Sequence, residues 1–225
     1  MSKMIPDNLV VVQDRIHKAL QQAGRKPDSA RLLAVSKTKP CEDIRAAYSA
    51  GQRCFGENYL QEALEKQQQL NDLDIEWHYI GPIQSNKTRA IAEHFDWVHS
   101  VDREKVARRL SEQRPADLPA LNICLQINVD NEDTKAGITL AELPKLYHAI
   151  KALPNLHIRG LMAIPAPSQD VSQQRATFAK VQQALAQLDS DMDTLSMGMS
   201  GDLESAIAAG STIVRIGTDI FGARN

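Results

Sequence analysis

Three groups of residues carry types that do chemistry, and each sits within or just after an apolar run. Lys37 directly follows Leu32–Val35 (LLAV) and Ser36. A lysine just past a strand is ordinarily a solvated loop residue. A lysine at the mouth of a barrel, near Lys39 and partly desolvated, is expected to ionise less readily, and a neutral amine is the nucleophile that forms a Schiff base with a carbonyl. Arg215 lies between Val214 and Ile216 in a uniformly apolar run. A buried guanidinium is costly unless paired, so it either bridges to an acid such as Glu57 or anchors an acceptor atom of a ligand. Ser200-Gly201-Asp202 precedes a helical stretch at Leu203–Ala209, and Gly217-Thr218 follows the last apolar run. These read either as an N-cap and a turn, or as two sets of backbone donors for a phosphate. An amine, a phosphate cup and a buried arginine together suit a phosphorylated aldehyde. Pyridoxal 5′-phosphate (PLP) and a phosphorylated sugar both answer that description.

Apolar runs and amphipathic helices must position these groups. The runs are Leu32–Val35, Arg53–Phe55, Trp77–Ile80, Trp97–His99, Leu121–Val129, Leu156–Ala163, Thr194–Met197 and Thr212–Ile216. Runs such as LNICLQINV and TIVRI do not alternate, which suits parallel strands covered on both faces. Between them lie helical stretches at Glu42–Ala50, Gln61–Leu70, Asn86–His94, Arg103–Gln113, Leu140–Ala152 and Val171–Leu188. In the last, Val171, Phe178, Val181, Leu185 and Leu188 form one face. This rhythm of βα units predicts an α/β fold: a single (β/α)8 TIM barrel filling residues 1–225 as one domain, with an additional N-terminal helix. An open doubly wound sheet is the alternative. The N-terminal helix is expected to start with Asp7 as N-cap, bury Leu9, Val12, Ile16 and Leu20, and stop at Gly24. Only nine residues follow Ile216, too few for a full eighth helix, so the N-terminal helix is expected to cover that side.

The 225 residues carry 26 Lys+Arg against 28 Asp+Glu, a formal net charge of -2, so no overall field attracts nucleic acid or an anionic membrane. Aromatics are 4% and show no basic stripe interleaved with them, which argues further against nucleic acid. With 43% hydrophobic and 24% charged residues the chain builds a core rather than remaining disordered. No apolar run approaches a membrane span, and the start MSKMIPDN lacks a signal peptide's apolar segment. Cys41, Cys54 and Cys124 have no metal-ligand spacing and read as thiols of a reducing cytoplasm, and no metal is expected.

Six long stretches span almost the whole chain: AVSKTKP (Ala34–Pro40), FGENY (Phe55–Tyr59), EWHYIGPIQSNK (Glu76–Lys87), GLMAIP (Gly160–Pro165), LSMGMSGDLESAIAAGST (Leu195–Thr212) and VRIGTDIFGAR (Val214–Arg224). In these stretches the chain resembles the pyridoxal phosphate homeostasis protein family. The resemblance implies the barrel of alanine racemase and ornithine decarboxylase, with PLP as a Schiff base on Lys37. It implies that Ser200, Gly217 and Thr218 hold the phosphate and that Arg215 faces the pyridine nitrogen. Asn58, His78, Met162 and Met199 would surround the cofactor, and Lys39 and Lys135 would take part in secondary PLP handling. Some relatives replace Gly201, which should not harm a backbone cup. The implied role is to buffer PLP or deliver it to PLP-dependent apoenzymes, with consequences for amino-acid pools and no established turnover. The chain ends at Asn225, without the additional domain that dimerises alanine racemase and supplies its second base, so a cytoplasmic monomer is expected. A low-activity PLP-dependent amino-acid racemase is the alternative. A PLP-free Schiff-base aldolase or an interaction protein is a third.

Overall fold

Every apolar run becomes a parallel strand. The computed structural model describes residues 4–132, 134–188 and 191–223. The strands are β1 (Arg31–Val35), β2 (Cys54–Glu57), β3 (Glu76–Tyr79), β4 (Trp97–Val101), β5 (Leu121–Ile127), β6 (Leu156–Ala163), β7 (Thr194–Ser196) and β8 (Ile213–Ile216). They pair in sequence order, and β8 returns to β1 with Leu33 opposite Arg215, so the sheet closes into a (β/α)8 barrel and the open-sheet alternative falls.

The helices are α1 (Met4–Gln22), α2 (Cys41–Ser49), α3 (Leu60–Gln69), α4 (Thr88–His94), α5 (Glu104–Gln113), α6 (Leu143–Ile150), α7 (Val171–Gln187), α8 (Leu203–Ala208) and α9 (Thr218–Phe221). α9 is a single turn, and α1 packs against α2, α8 and α9, where a full eighth helix would lie. Its apolar face buries Leu9, Val12, Ile16 and Leu20. At its end Gly24 takes φ 65, and Arg25 N–H reaches back to the Leu20 carbonyl at 2.9 Å. No described helix is long and apolar enough to cross a membrane.

The period of two along each strand divides the core. Leu33, Trp97, Cys124, Met162 and Ile213 form a cluster inside the barrel. Leu32, Ala34, Phe55, Trp77, Val98 and Ile123 join the larger cluster between strands and helices.

Several element ends differ from the sequence reading. α1 begins at Met4, which puts Asp7 in its first turn rather than at the cap, where its charge still meets the positive helix end. β2 starts at Cys54 and runs on to Glu57. A 3-10 turn at Ser85–Lys87 precedes α4, so the helix starts two residues late. α6 starts at Leu143 because a helix reaching back to 140 would require an N–H of Pro144. In α7, Phe178 and Val181 are buried but Val171 is 52% exposed, since the first turn overhangs the barrel rim.

Candidate functional site

The carboxyl ends of the strands enclose a cavity of about 260 Å³. β1 delivers Val35, Lys37 and Lys39, and β2 delivers Asn58. Ile80 follows β3 and Ile164 follows β6. The loop after β7 contributes Met199, Ser200 and Gly201, and β8 and its end contribute Arg215, Gly217 and Thr218. The lining holds three cationic side chains and no carboxylate. Such a cavity favours an anion, and its apolar members offer surface to a flat ring.

Backbone geometry forms the cup. Gly198 takes φ 97, and a Cβ there would stand 2.6 Å from Ala206 Cβ, so only glycine lets the chain turn from β7 into the loop. Asp202 then occupies the N-cap position of α8 with no side-chain bond to the helix, and its Oδ1 accepts instead from the Met199 N–H at 2.6 Å. Asp202, not Ser200, is therefore the cap residue. Among the described residues, the backbone N–H groups of Ser200, Gly201, Gly217 and Thr218 make no hydrogen bond to a protein acceptor. A Cβ on Gly201 would meet nothing within 4 Å, so replacement there leaves the cup intact.

Arg215 is 4% exposed. Its Nη1 donates to the Ser196 carbonyl at 2.6 Å and to Ser196 Oγ at 2.7 Å, and its Nη2 donates to the Ala163 carbonyl at 2.9 Å. A guanidinium has five N–H donors. Its Nε–H and second Nη2–H make no bond to a described residue. Burial pushes its pKa down to about 10, and it still carries its charge at neutral pH. The suggested bridge to Glu57 does not form. Phe55 and Glu57 face outward on β2, whereas Arg215 faces inward.

Glu57 instead meets Lys66 of α3. Lys66 Nζ lies 2.8 Å from Glu57 Oε1, 2.5 Å from Glu62 Oε1 and 2.7 Å from the Ser36 carbonyl. Ser36 Oγ donates to Glu57 Oε1 at 2.6 Å. Both Glu57 and Lys66 are buried, so this pair clamps the end of β1 directly beneath Lys37. Thr38, next in the chain, holds φ 61, a costly conformation for a β-branched residue, and its N–H is tied to Glu62 Oε1 at 2.6 Å.

A second clamp comes from α1. Arg15 donates to Glu204 at 3.0 Å, to Asp219 at 2.7 Å and to the Ser200 carbonyl at 3.0 Å. One side chain thus ties together the loops after β7 and β8.

Among the residues singled out in the sequence, Lys37, Lys39, Asn58, Met199, Ser200, Arg215, Gly217 and Thr218 share the cavity. His78 and Met162 do not line it. Both are buried inside the barrel, His78 stacked on Trp97 at 5.4 Å and Met162 in the interior cluster. They lie below because the strand period places Ile80 and Ile164, two residues later, at the mouth. Lys39 Nζ caps the chain after α9, donating to the Phe221 and Ala223 carbonyls at 3.1 and 2.8 Å. Lys135 lines an adjoining cavity of about 300 Å³ that shares Asn58, Ile80 and Ile164, and it pairs with Asp130 and Glu132. Asn58 Oδ1 is buried with no partner among the described residues. Arg224 lies outside the described residues. Sequence reasoning missed Ile80 and Ile164; strand parity gives their inward face, and barrel closure sets their level at the mouth. It also missed Arg15 and Lys66, for which no local signal exists.

At the opposite end of the barrel, Cys54, Glu76 and His78 bring ligand-type atoms within 4.8 Å of one another. Arg31 Nη1 sits 2.7 Å from Glu76 Oε1 and 3.6 Å from Cys54 Sγ, so this cluster already has its cation.

The buried imidazoles predict acid lability. Burial pushes His78 down to about 4 and His99 well below its ordinary value. The unfolded chain takes up these protons near pH 6.5 and the folded chain does not, so stability falls as pH drops from about 6.5 toward 4. His78 alone accounts for about 3 kcal/mol over that window. For Glu76, burial alone would raise the carboxyl, but His78 and Arg31 hold it down to about 2. Its contribution is present above about pH 4.5 and is lost as pH falls toward 2. Urea unfolding at pH 7.5 and pH 5 is the check; equal midpoints would contradict buried neutral histidines.

The chain is similar to known proteins over almost its whole length. The family described as alanine racemase, N-terminal domain, matches residues 10–225. The pyridoxal phosphate homeostasis protein of Pseudomonas aeruginosa is 60% identical over 221 residues, covering 98% of this chain and 96% of that protein. The protein of the same name from Escherichia coli K12 is 53% identical over 227 residues, covering 98% and 97%. Among solved structures, PipY of Synechococcus elongatus with PLP bound is 41% identical with a TM-score of 0.78, covering 92% of this chain and 100% of that one. Alanine racemase from Corynebacterium glutamicum shares the fold at 18% identity and a TM-score of 0.70; the match covers 98% of this chain and 61% of the racemase.

Proposed function

The chain belongs to the pyridoxal phosphate homeostasis protein family, and from that premise we propose that the cavity at its strand ends is where it holds PLP. PLP is its cofactor and PLP homeostasis its role. The observation that carries the placement is the buried Arg215, which keeps two donors without a partner among the described residues and lines a cavity with three cations and no carboxylate.

The residues present fit the group. The free N–H groups of Ser200, Gly201, Gly217 and Thr218 suit its phosphate, and Ile80, Ile164, Met199 and Val35 supply apolar surface for its ring. Arg215 offers donors to an unprotonated ring nitrogen, and Lys37 is the amine that would take the aldehyde as a Schiff base. Bound this way, PLP supplies a reactive carbonyl equivalent and only a weak electron sink. His78 and Met162 support the floor rather than touch the ring.

Retention without turnover is the reading this geometry supports best. A racemase needs bases on both faces of its substrate. Of the lining side chains only Lys37 and Lys39 are amines, and Lys39 is committed to two carbonyls. Tyr59 is 52% exposed and does not line the cavity. The protein therefore buffers PLP or passes it to PLP-dependent apoenzymes, as a cytoplasmic monomer.

Titration of the purified protein with PLP, followed by borohydride reduction and peptide mapping, tests this. Uptake with the label on Lys37 is expected. No uptake would overturn the proposal, and α-proton exchange of an amino acid in deuterated water would overturn its non-catalytic part. The Arg15 clamp gives a separate expectation. Arg15→Met should weaken PLP binding by roughly fivefold without moving the label, because three hydrogen-bonded contacts that order the cup are lost. Equal dissociation constants by absorbance titration would show that α1 has no such role.

A further inference from the structure

A hydrogen-bonded chain crosses the barrel interior from Arg215 at the cavity to Glu76 at the far end. Arg215 Nη1 lies 2.7 Å from Ser196 Oγ, which lies 2.7 Å from His99 Nδ1. His99 Nε2 lies 2.8 Å from His78 Nδ1, and His78 Nε2 lies 2.7 Å from Glu76 Oε1. Ser196, His99 and His78 are fully buried.

The two ends fix the direction of every hydrogen between them. A guanidinium only donates and a carboxylate only accepts. Glu76 only accepts, so the neutral His78 carries its proton on Nε2 and leaves Nδ1 bare. That Nδ1 accepts from His99 Nε2–H, so the neutral His99 has a bare Nδ1. Ser196 Oγ therefore gives its single hydrogen to His99 Nδ1 and accepts from Arg215 through a lone pair. Each imidazole is neutral with one defined tautomer, and burial keeps both neutral at physiological pH. Arg31, 2.7 Å from Glu76 Oε1, keeps the last acceptor a carboxylate.

We propose that His99, acting through Ser196, is a positioning residue that holds the Arg215 guanidinium with its Nε–H and second Nη2–H turned into the cavity. His78 and Glu76 set the tautomer that lets it do so. Without the chain, Ser196 Oγ is free to turn its hydrogen toward Arg215, and the guanidinium rests on two backbone carbonyls alone. The consequence for a ligand rests on the PLP reading above; the orientation of Arg215 does not.

Variants at His99 and Ser196 test this. A glutamine at 99 can accept from Ser196 through its oxygen and donate to His78 through its nitrogen; leucine can do neither. His99→Leu is expected to raise the PLP dissociation constant about tenfold and to shift the absorbance band of bound PLP, since the donor at the ring changes. His99→Gln is expected to stay within about twofold of the parent with the parent's band. Ser196→Ala, which deletes one oxygen, should follow His99→Leu and carries the test if the leucine variant does not fold. Parent-like affinity and band in Ser196→Ala would overturn the proposal, as would a folded His99→Gln as impaired as His99→Leu. If the parent itself takes up no PLP, the functional reading fails, and a crystal structure of PLP-free Ser196→Ala decides the positioning claim. A displaced Arg215 guanidinium supports it, and an unmoved one refutes it.

Discussion

Lys37→Ala is expected to leave no pyridoxyl label after borohydride reduction and to weaken PLP binding on the order of a hundredfold. Lys37 follows β1 and shares one cavity with Asn58, Arg215 and the cup of Ser200, Gly201, Gly217 and Thr218. Alanine removes the amine and leaves the cup, so residual binding is non-covalent and rests on the phosphate contacts. The thermal midpoint should change little, because the side chain lines a cavity rather than filling the core. Lys39→Ala should keep the label, since Lys39 Nζ is occupied by the Phe221 and Ala223 carbonyls. A label that survives in Lys37→Ala and maps to Lys39 or Lys135 would keep the cavity and refute Lys37 as its central residue.

Lys66→Met is expected to cost about 3–5 kcal/mol of folding stability, the range for removing one partner of a buried ion pair. Glu57 is fully buried, and its Oε2 already lacks a partner among the described residues. Taking away Lys66 strips Oε1 of its cation and the Ser36 carbonyl of its donor. Burial already pushes the Glu57 carboxyl up, with Lys66 opposing that shift. In the variant only the Ser36 hydroxyl still opposes it, so Glu57 binds its proton more tightly folded than unfolded. A raised folded pKa means stability is lost as pH rises through it, so the deficit relative to the parent should shrink from pH 8 toward pH 5. The double variant Glu57→Leu/Lys66→Met should recover much of the loss, because no buried charge remains. Urea unfolding across pH measures all three; a deficit under about 1 kcal/mol at pH 8 would show the pair to be solvated.

The chain's local pattern determined the architecture. Eight apolar runs without alternation required strands covered on both faces, and the helices between them required parallel crossovers. Strand ends then located the chemistry, because every crossover in such a barrel opens toward the same rim. Lys37, Asn58, Ser200, Arg215, Gly217 and Thr218 meet there although they come from four strands. Local sequence also showed that a buried arginine needs partners. It did not show which, since those partners lie 19 and 52 residues away in the chain. Depth along a strand was likewise decided in three dimensions. His78 and Ile80 both point inward on or just past β3, and only barrel closure places Ile80 on the cavity and His78 one level below it. There His78 meets His99 from the next strand, which no motif links to it. Closure also brings α1 against the last turn, so that Arg15 reaches Ser200 and Asp219 across almost the whole length of the chain. Short-range periodicity sets which face a residue takes; the pairing of faces from distant segments follows from how the sheet closes, and the closed barrel turns an amine, an arginine and two loops into one site.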